Sequence, residues 1–476
     1  MKQCGILLPV FSLPSPYGVG TLGKAAFEFV DFLHAAGQQV WQVLPLHPTG
    51  YGNSPYYTLS CFAGNPWLID LDRLKEEGLL TQAELDGCAQ PEDPCRVDYD
   101  RLQSERLKLL YQAFCRGPKP VDDKFFRDAA WWLEPYCDFM ARREREEGRP
   151  WNQWEKAAPL DERKDFHRFL QSLFYRQWDS LKSYANDKGV QIIGDLPFYV
   201  PHDSADVFAR REEFCLDVNG APSLVAGCPP DQFNAQGQFW GSPVYRWDVM
   251  ASNGYQWWLS RIAWASRLFD GLRLDHFRGF ESFWAIPAKA KSAAEGSWLP
   301  GPGKAFLDAV KAQFPNVWFL AEDLGSITPQ VRRLLSSTGF WGMRVLQFGF
   351  ENDWTNEHLP HNYQEQIVGY TSLHDTMTAK QWLSSAPKWQ RLAARRYLGR
   401  EKLSVWDLIA DVLASPAGLA VVAMQDYLEL GWEARMNEPG TVGPKNWSWR
   451  MEPGVLNMLL AKKIRRLCAA SGRNPA

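Results

Sequence analysis

The nine cysteines of this chain are odd in number and scattered, with no C-x-x-C pair and no histidine at metal-ligand spacing. That argues against a disulfide framework and against a zinc site, and fits reduced thiols. There is no block of like charges, and the formal net charge is only -3, so nothing points to a nucleic acid or an anionic membrane surface. No apolar run approaches the ~18 to 20 residues of a membrane span. The opening MKQCGILLPVFSLPSP has a short apolar run, but prolines break it and no small-residue cleavage site follows. The expectation is a cytoplasmic protein. A P-loop, a glycine fingerprint for a dinucleotide and a Ser-His-Asp elbow are all missing.

What the chain has in quantity is aromatic surface: 14% aromatic residues and 23 Trp in 476 residues. Flat amphipathic rings fill cores, but they also suit a groove that grips sugars, whose C–H faces stack on them. Eight short apolar runs recur with helical segments between them: residues 5–10, 39–46, 190–198, 269–277, 317–324, 343–350, 367–375 and 419–427. Eight β/α units predict a closed (β/α)8 barrel, which needs only about 250 residues. The surplus falls in two places. Residues 47–189 read as a mainly helical insertion after the second strand, and residues 199–268 as a loop-rich insertion after the third that forms part of a groove. The charge run Arg142 to Glu147 in the first reads as a solvated helix face. No internal repeat or linker appears, so the whole of 1–476 reads as one barrel with insertions and no separate C-terminal β domain.

Five of the eight runs carry an acid at or near the C-terminal end: Asp195, Asp275, Glu322 (with Asp323), Asp375 and Asp426. Active sites of such barrels are built at that face. Arg273 and Asp275 are two apart, so in a strand they share a face, and Arg273 favours the ionised carboxylate that a nucleophile must be. Glu322 follows the apolar VWFLA, and burial raises a carboxyl toward what a general acid needs. His374 and Asp375 are neighbours whose side chains diverge in an extended strand, which weakens a shared-metal reading. Paired carboxylates in an aromatic-rich barrel fit glycosyl transfer better, one attacking the anomeric carbon while the other protonates the leaving oxygen.

The stretches SLPSPYGVGTLG, WQVLPLHPTGYGNSPYYTLSCFAGNPWLI, GDLPFYVPHDSADVF, PPDQFNAQGQFWGSPVYRW, GLRLDHFRGF, AEDLG, YTSLHDT and RMNEPGTVGPKNWSWR resemble, in order, those of glycoside hydrolase family 77, the amylomaltase or disproportionating-enzyme family of 4-alpha-glucanotransferases. The resemblance covers essentially the whole chain. It implies Asp275 as the nucleophile forming a β-linked glucosyl-enzyme, Glu322 as the acid/base, and Asp375 as the acid that orients the donor sugar's hydroxyls. Arg273 and His374 would hold the same sugar, with Asp195 in support, and Tyr56 would stack near it. Tyr51, Ser54, Asp231, Gln238, Trp240 and Asn446 would line the groove. No cofactor and no metal are expected. The implied partners are maltooligosaccharides and other α-1,4-glucans, with glucose as acceptor; nucleic acid and membrane are not expected. His276 is expected to pack rather than transfer protons. The sequence departs from the family pattern at Asn53, at Tyr57-Thr58 and at Thr376-Met377, none of which removes a catalytic acid. Two rivals are an alpha-amylase-like retaining hydrolase and a glucan-binding barrel without turnover; a metal-dependent lyase or isomerase is a third.

Overall fold

The strand-forming runs are buried on both faces, as strands inside a ring of helices must be. Eight of them pair in parallel in the order β10-β11-β12-β1-β2-β3-β6-β9. Their ranges are β1 Gln3–Leu7, β2 Val40–Gln42, β3 Gln191–Leu196, β6 Gly271–Leu274, β9 Trp318–Ala321, β10 Gly342–Val345, β11 Ile367–Tyr370 and β12 Leu419–Ala423. The ring closes between β9 and the residue before β10: Ala321 N donates to Trp341 O (2.7 Å) and Trp341 N to Phe319 O (3.0 Å). The computed structural model describes residues 2–88, 93–117, 124–155, 161–230 and 236–473. Each strand falls within one of the eight runs read from the sequence or overlaps it, and the architecture is the expected (β/α)8 barrel.

Helices cover the outside of the barrel. The helix Asp161–Asp187 buries Phe166, Leu170, Leu173, Phe174, Trp178 and Leu181, spaced three and four apart as an amphipathic face requires. It packs on the helix Lys124–Arg145 of the same excursion. The charge run at the end of the latter is only in part a solvated face: Arg145 and Glu147 are exposed, while Arg142, Arg143 and Glu144 are half-buried. Glu146 is buried and paired with Arg145 and Arg149. Arg143 reaches Asp203 at 3.1 Å, and Glu144 meets Arg163 and His167 at 2.7 and 3.0 Å. Pairing across elements, which periodicity along one helix does not reveal, draws these charges inward.

Two further features differ from the eight-unit reading. The return after β10 carries no α-helix, only the 3-10 turns Leu346–Phe348 and Pro360–Asn362. Residues 351–366 are rich in Asn, Asp, Pro and His, which favour turns over helix. A second, antiparallel sheet of order β5-β4-β7-β8 lies on the barrel: β4 Leu224–Cys228, β5 Gln238–Pro243, β7 Ser282–Pro287 and β8 Ser297–Pro300. Its last two strands come from the stretch after β6. Ala226, Phe283 and Ala285 join the main core, while Val225, Ile286 and Ala293 form a small cluster of their own. Trp240 on β5 sets its ring edge-on to His276 at 5.1 Å.

Candidate active site

Register places the acids. Asp195 stands opposite Arg273 in the β3–β6 pairing. The ladder runs one residue further, Asp275 N donating to Leu196 O (3.1 Å) and Glu322 N to Leu274 O (3.0 Å). Asp275 and Glu322 are thus the first residues past two adjacent strands. At Gly194, next to Asp195, a Cβ would meet the Phe269 ring at 2.2 Å; glycine lets that ring lie on the strand behind the site.

Arg273 is the hub. Its Nη1 donates to both oxygens of Asp195 (2.6 and 2.7 Å) and to Asp275 Oδ1 (3.0 Å). Its Nη2 lies 3.1 Å from Glu322 Oε2. Arg273 and Asp195 are each 2% exposed, whereas the side chains of Asp275 and Glu322 are 23% open to the groove. The chain turns at His276 in a left-handed conformation (φ 46°), uncommon outside glycine and concentrated at functional sites. That turn aims the His276 amide at Glu322 Oε2, 2.6 Å away.

Burial, seconded by the charge of Asp275, pushes Glu322 well above the ordinary carboxylate range against the pull of Arg273 and the His276 amide. The His276 ring is packed among Phe198, Tyr199 and Trp240, and burial brings its pKa down to about 4. It is therefore neutral at physiological pH, packed against those rings and bordering the groove.

Asp375 comes from a different place, five residues beyond β11. Asn437 Nδ2 donates to its Oδ1 at 2.6 Å, and His374 Nε2 lies 3.3 Å from its Oδ2. Burial alone raises such a carboxyl, but His374 and Asn437 outweigh it and bring Asp375 down to about 2. Tyr56 donates its hydroxyl to Asp195 Oδ2 (2.7 Å) and stacks on His374 at 5.2 Å.

Above these groups opens a groove of ≈ 620 Å³, onto which Asp275, Glu322 and Asp375 all face. Of the residues expected there, Tyr51, Ser54, Tyr56, Gln238, Trp240 and Asn446 line it. Arg273, Asp195 and His374 lie beneath its floor. Asp231 falls outside the described residues. Asn446 also ties its own loop, accepting from Glu438 N and donating to Thr441 O. Among the contributors that escaped the sequence reading are Asn437, the His276 amide, the rings of Tyr199 and Trp447, and the hydrophobic rim of Phe239 and Val442. Asn437 and Val442 lie in RMNEPGTVGPKNWSWR and Phe239 in PPDQFNAQGQFWGSPVYRW, so the matched motifs were the legible signal for them.

A closed barrel whose strand ends converge on one buried arginine, under a long aromatic groove, defines an enzyme of carbohydrate chemistry. The family model described as 4-alpha-glucanotransferase matches residues 8–457. The chain belongs to that family, glycoside hydrolase family 77. It is 44% identical over 502 residues to a 4-alpha-glucanotransferase of Thermus thermophilus, covering 99% of each chain. With one from Synechocystis it shares 43% over 499 residues, covering 99% of this chain and 98% of that one. Among solved structures it superposes on the amylomaltase of Streptococcus agalactiae in complex with acarbose, with TM-score 0.96 at 34% identity and 100% of each chain covered.

Proposed function

We propose that this chain is a retaining 4-alpha-glucanotransferase, with Asp275 as nucleophile, Glu322 as acid/base and Asp375 as the residue that orients the donor sugar. The observation that carries this reading is the pair of carboxyls on one guanidinium at the floor of the groove, of which Glu322 is held toward its protonated form. Glu322 gives its proton to the glycosidic oxygen while Asp275 attacks the anomeric carbon, forming a β-linked glucosyl-enzyme. The Glu322 carboxylate then takes the proton from the 4-hydroxyl of a second glucan, whose oxygen displaces Asp275. Two inversions leave the new bond α. Arg273 Nη1 holds Asp275 Oδ1 in place between turnovers. Asp375, ionised at any working pH, accepts hydrogen bonds from the donor sugar's hydroxyls, with His374 and Tyr56 beside it. Transfer outruns hydrolysis to the extent that the acceptor, held between Trp240, Phe239, Tyr51 and Val442, keeps water from the intermediate. One barrel, with residues 47–189 and 199–268 as excursions, serves as the single catalytic unit.

The substrates under this reading are maltooligosaccharides and longer α-1,4-glucans, with glucose as the smallest acceptor. The nine cysteines are all free thiols, which supports a cytoplasmic setting. Among the described residues no helix is long and apolar enough to cross a membrane. The test is incubation of the pure protein with maltotriose and EDTA. A ladder of longer glucans together with free glucose is expected. Glucose and maltose without longer products would mean that water wins, as in an amylase-like hydrolase.

Tyr56→Phe isolates one support. Burial first, then the Asp195 charge, pushes the Tyr56 hydroxyl well above its usual range, so it stays a donor. Removing it leaves Asp195 short of one hydrogen bond to a charged group, worth roughly 1.5 kcal/mol or about tenfold. A fall of about that size in kcat/KM on maltotriose is expected; wild-type values would detach Tyr56 from the site.

A further inference from the structure

Asp426 takes no part in the chemistry above, yet it is fully buried and, among the described residues, has no ion-pair partner. It stands three residues past the end of β12, in the short turn Met424–Tyr427. Its Oδ2 accepts hydrogen bonds from the hydroxyls of Thr371 and Ser372, both at 2.6 Å. Its Oδ1 accepts from the amide of Ala379 at 2.7 Å. A lone buried carboxylate is costly, and three short charge-assisted bonds offset that cost. What those bonds reach gives the carboxylate its meaning.

Thr371 and Ser372 are the entry to the loop that carries His374 and Asp375, and Ala379 is its exit. One carboxylate therefore pins both ends. From the other neighbouring strand, buried Gln347 does the same with its amide, donating to Thr371 O (3.1 Å) and Met377 O (2.8 Å). β11 lies between β10 and β12, so the loop is clamped from both sides. Inside the clamp, Thr376 Oγ1 accepts from Leu373 N at 2.8 Å and closes the turn around His374 and Asp375. That hydroxyl stands at one of the departures from the family pattern. A side chain five residues beyond a strand has no ladder to hold it, and errors of about an ångström in such a group can cost on the order of a hundredfold in rate.

We propose that Asp426 is a positioning residue of the transferase, fixing through Thr371, Ser372 and Ala379 the place of His374 and Asp375 against the donor sugar. The proposal rests on the assignment of Asp375 made above. Asparagine would keep the size and the bond to Ala379 N, and the two hydroxyls could rotate to accept from its amide. Alanine would release both ends.

The experiment is steady-state kinetics on maltotriose for Asp426→Ala and Asp426→Asn, alone and in an Asp375→Asn background. In Asp426→Ala, kcat is expected to fall about 10- to 100-fold with KM within about threefold, and Asp426→Asn to recover part of the loss. In the Asp375→Asn background, Asp426→Ala is expected to cost under about threefold more, because the two act as one unit. A folded Asp426→Ala with wild-type kcat overturns the proposal. So does an equal fold-loss in both backgrounds, which would mark a role independent of Asp375. Should Asp426→Ala fail to fold, Thr371→Val with Ser372→Ala carries the same test: a fall in kcat supports it and unchanged kcat overturns it. The wild-type ladder on maltotriose tests the activity itself, separately from either result.

Discussion

Asp275→Asn is expected to abolish transfer, lowering kcat on maltotriose by about 10⁴-fold or more while the protein stays folded. Removal of a nucleophile is among the largest single losses an active site sustains. The amide is isosteric and retains an oxygen for Arg273 Nη1, and the side chain is partly open to the groove, so the barrel beneath is little disturbed. Asp195, doubly bonded to the same guanidinium, keeps Arg273 in place. A trapped covalent sugar in the wild-type protein, absent in Asp275→Asn, is the direct measurement by mass spectrometry of the intact chain. Residual transfer within about tenfold of wild type would remove Asp275 from the nucleophile's role.

Glu322→Gln is expected to split by substrate. With a glucan donor the leaving oxygen needs a proton, and loss of a general acid costs about 10²- to 10⁴-fold. With a glucosyl fluoride donor the leaving group needs none, so formation of the intermediate is expected to stay near the wild-type rate. The pH profile supplies a second readout. In the proposed mechanism Glu322 acts first as an acid, so its protonated form is the competent one. Its pKa is raised by burial and by Asp275, so activity persists through the ordinary carboxylate range. It falls only as pH climbs past the raised value, and Glu322→Gln is expected to lose that alkaline limb. Asp375, brought down to about 2, contributes no acid limb above that. Equal losses on both donors would reassign the proton.

The barrel was readable because each of its strands lies in or overlaps a short apolar run, five of them with an acid at or near the C-terminal end, and because an alternating period puts Arg273 and Asp275 on one face without further information. Glu322 was readable from the apolar residues before it. Asp375 was harder: it stands on a loop, and although its place at the end of the run 367–375 marked it as one of the acids at the barrel mouth, only the motif around it pointed to a particular role. What stayed hidden depends on contacts between distant segments. The antiparallel sheet is made of strands of four to six residues, two of them from beyond the expected insertion. Arg143 and Glu144 were taken for surface because their partners, Asp203, Arg163 and His167, lie on other elements. Asn437 sits 62 residues from the carboxylate it holds, and the His276 amide acts through backbone geometry, which side-chain identity does not encode.

The sharing of Arg273 among three carboxylates has a consequence in time as well as in space. When Asp275 becomes an ester in the covalent intermediate, its negative charge disappears from beside Glu322, while the guanidinium 3.1 Å away remains. Of the influences that had raised the proton affinity of Glu322, one is erased, and the opposing one is left unbalanced. Under the proposed mechanism Glu322 thus holds its proton more tightly before the first displacement than after it, when an incoming hydroxyl must be deprotonated. Product formation restores the aspartate and with it the original affinity. On that mechanism the site re-arms itself each cycle through a change of charge on a neighbour.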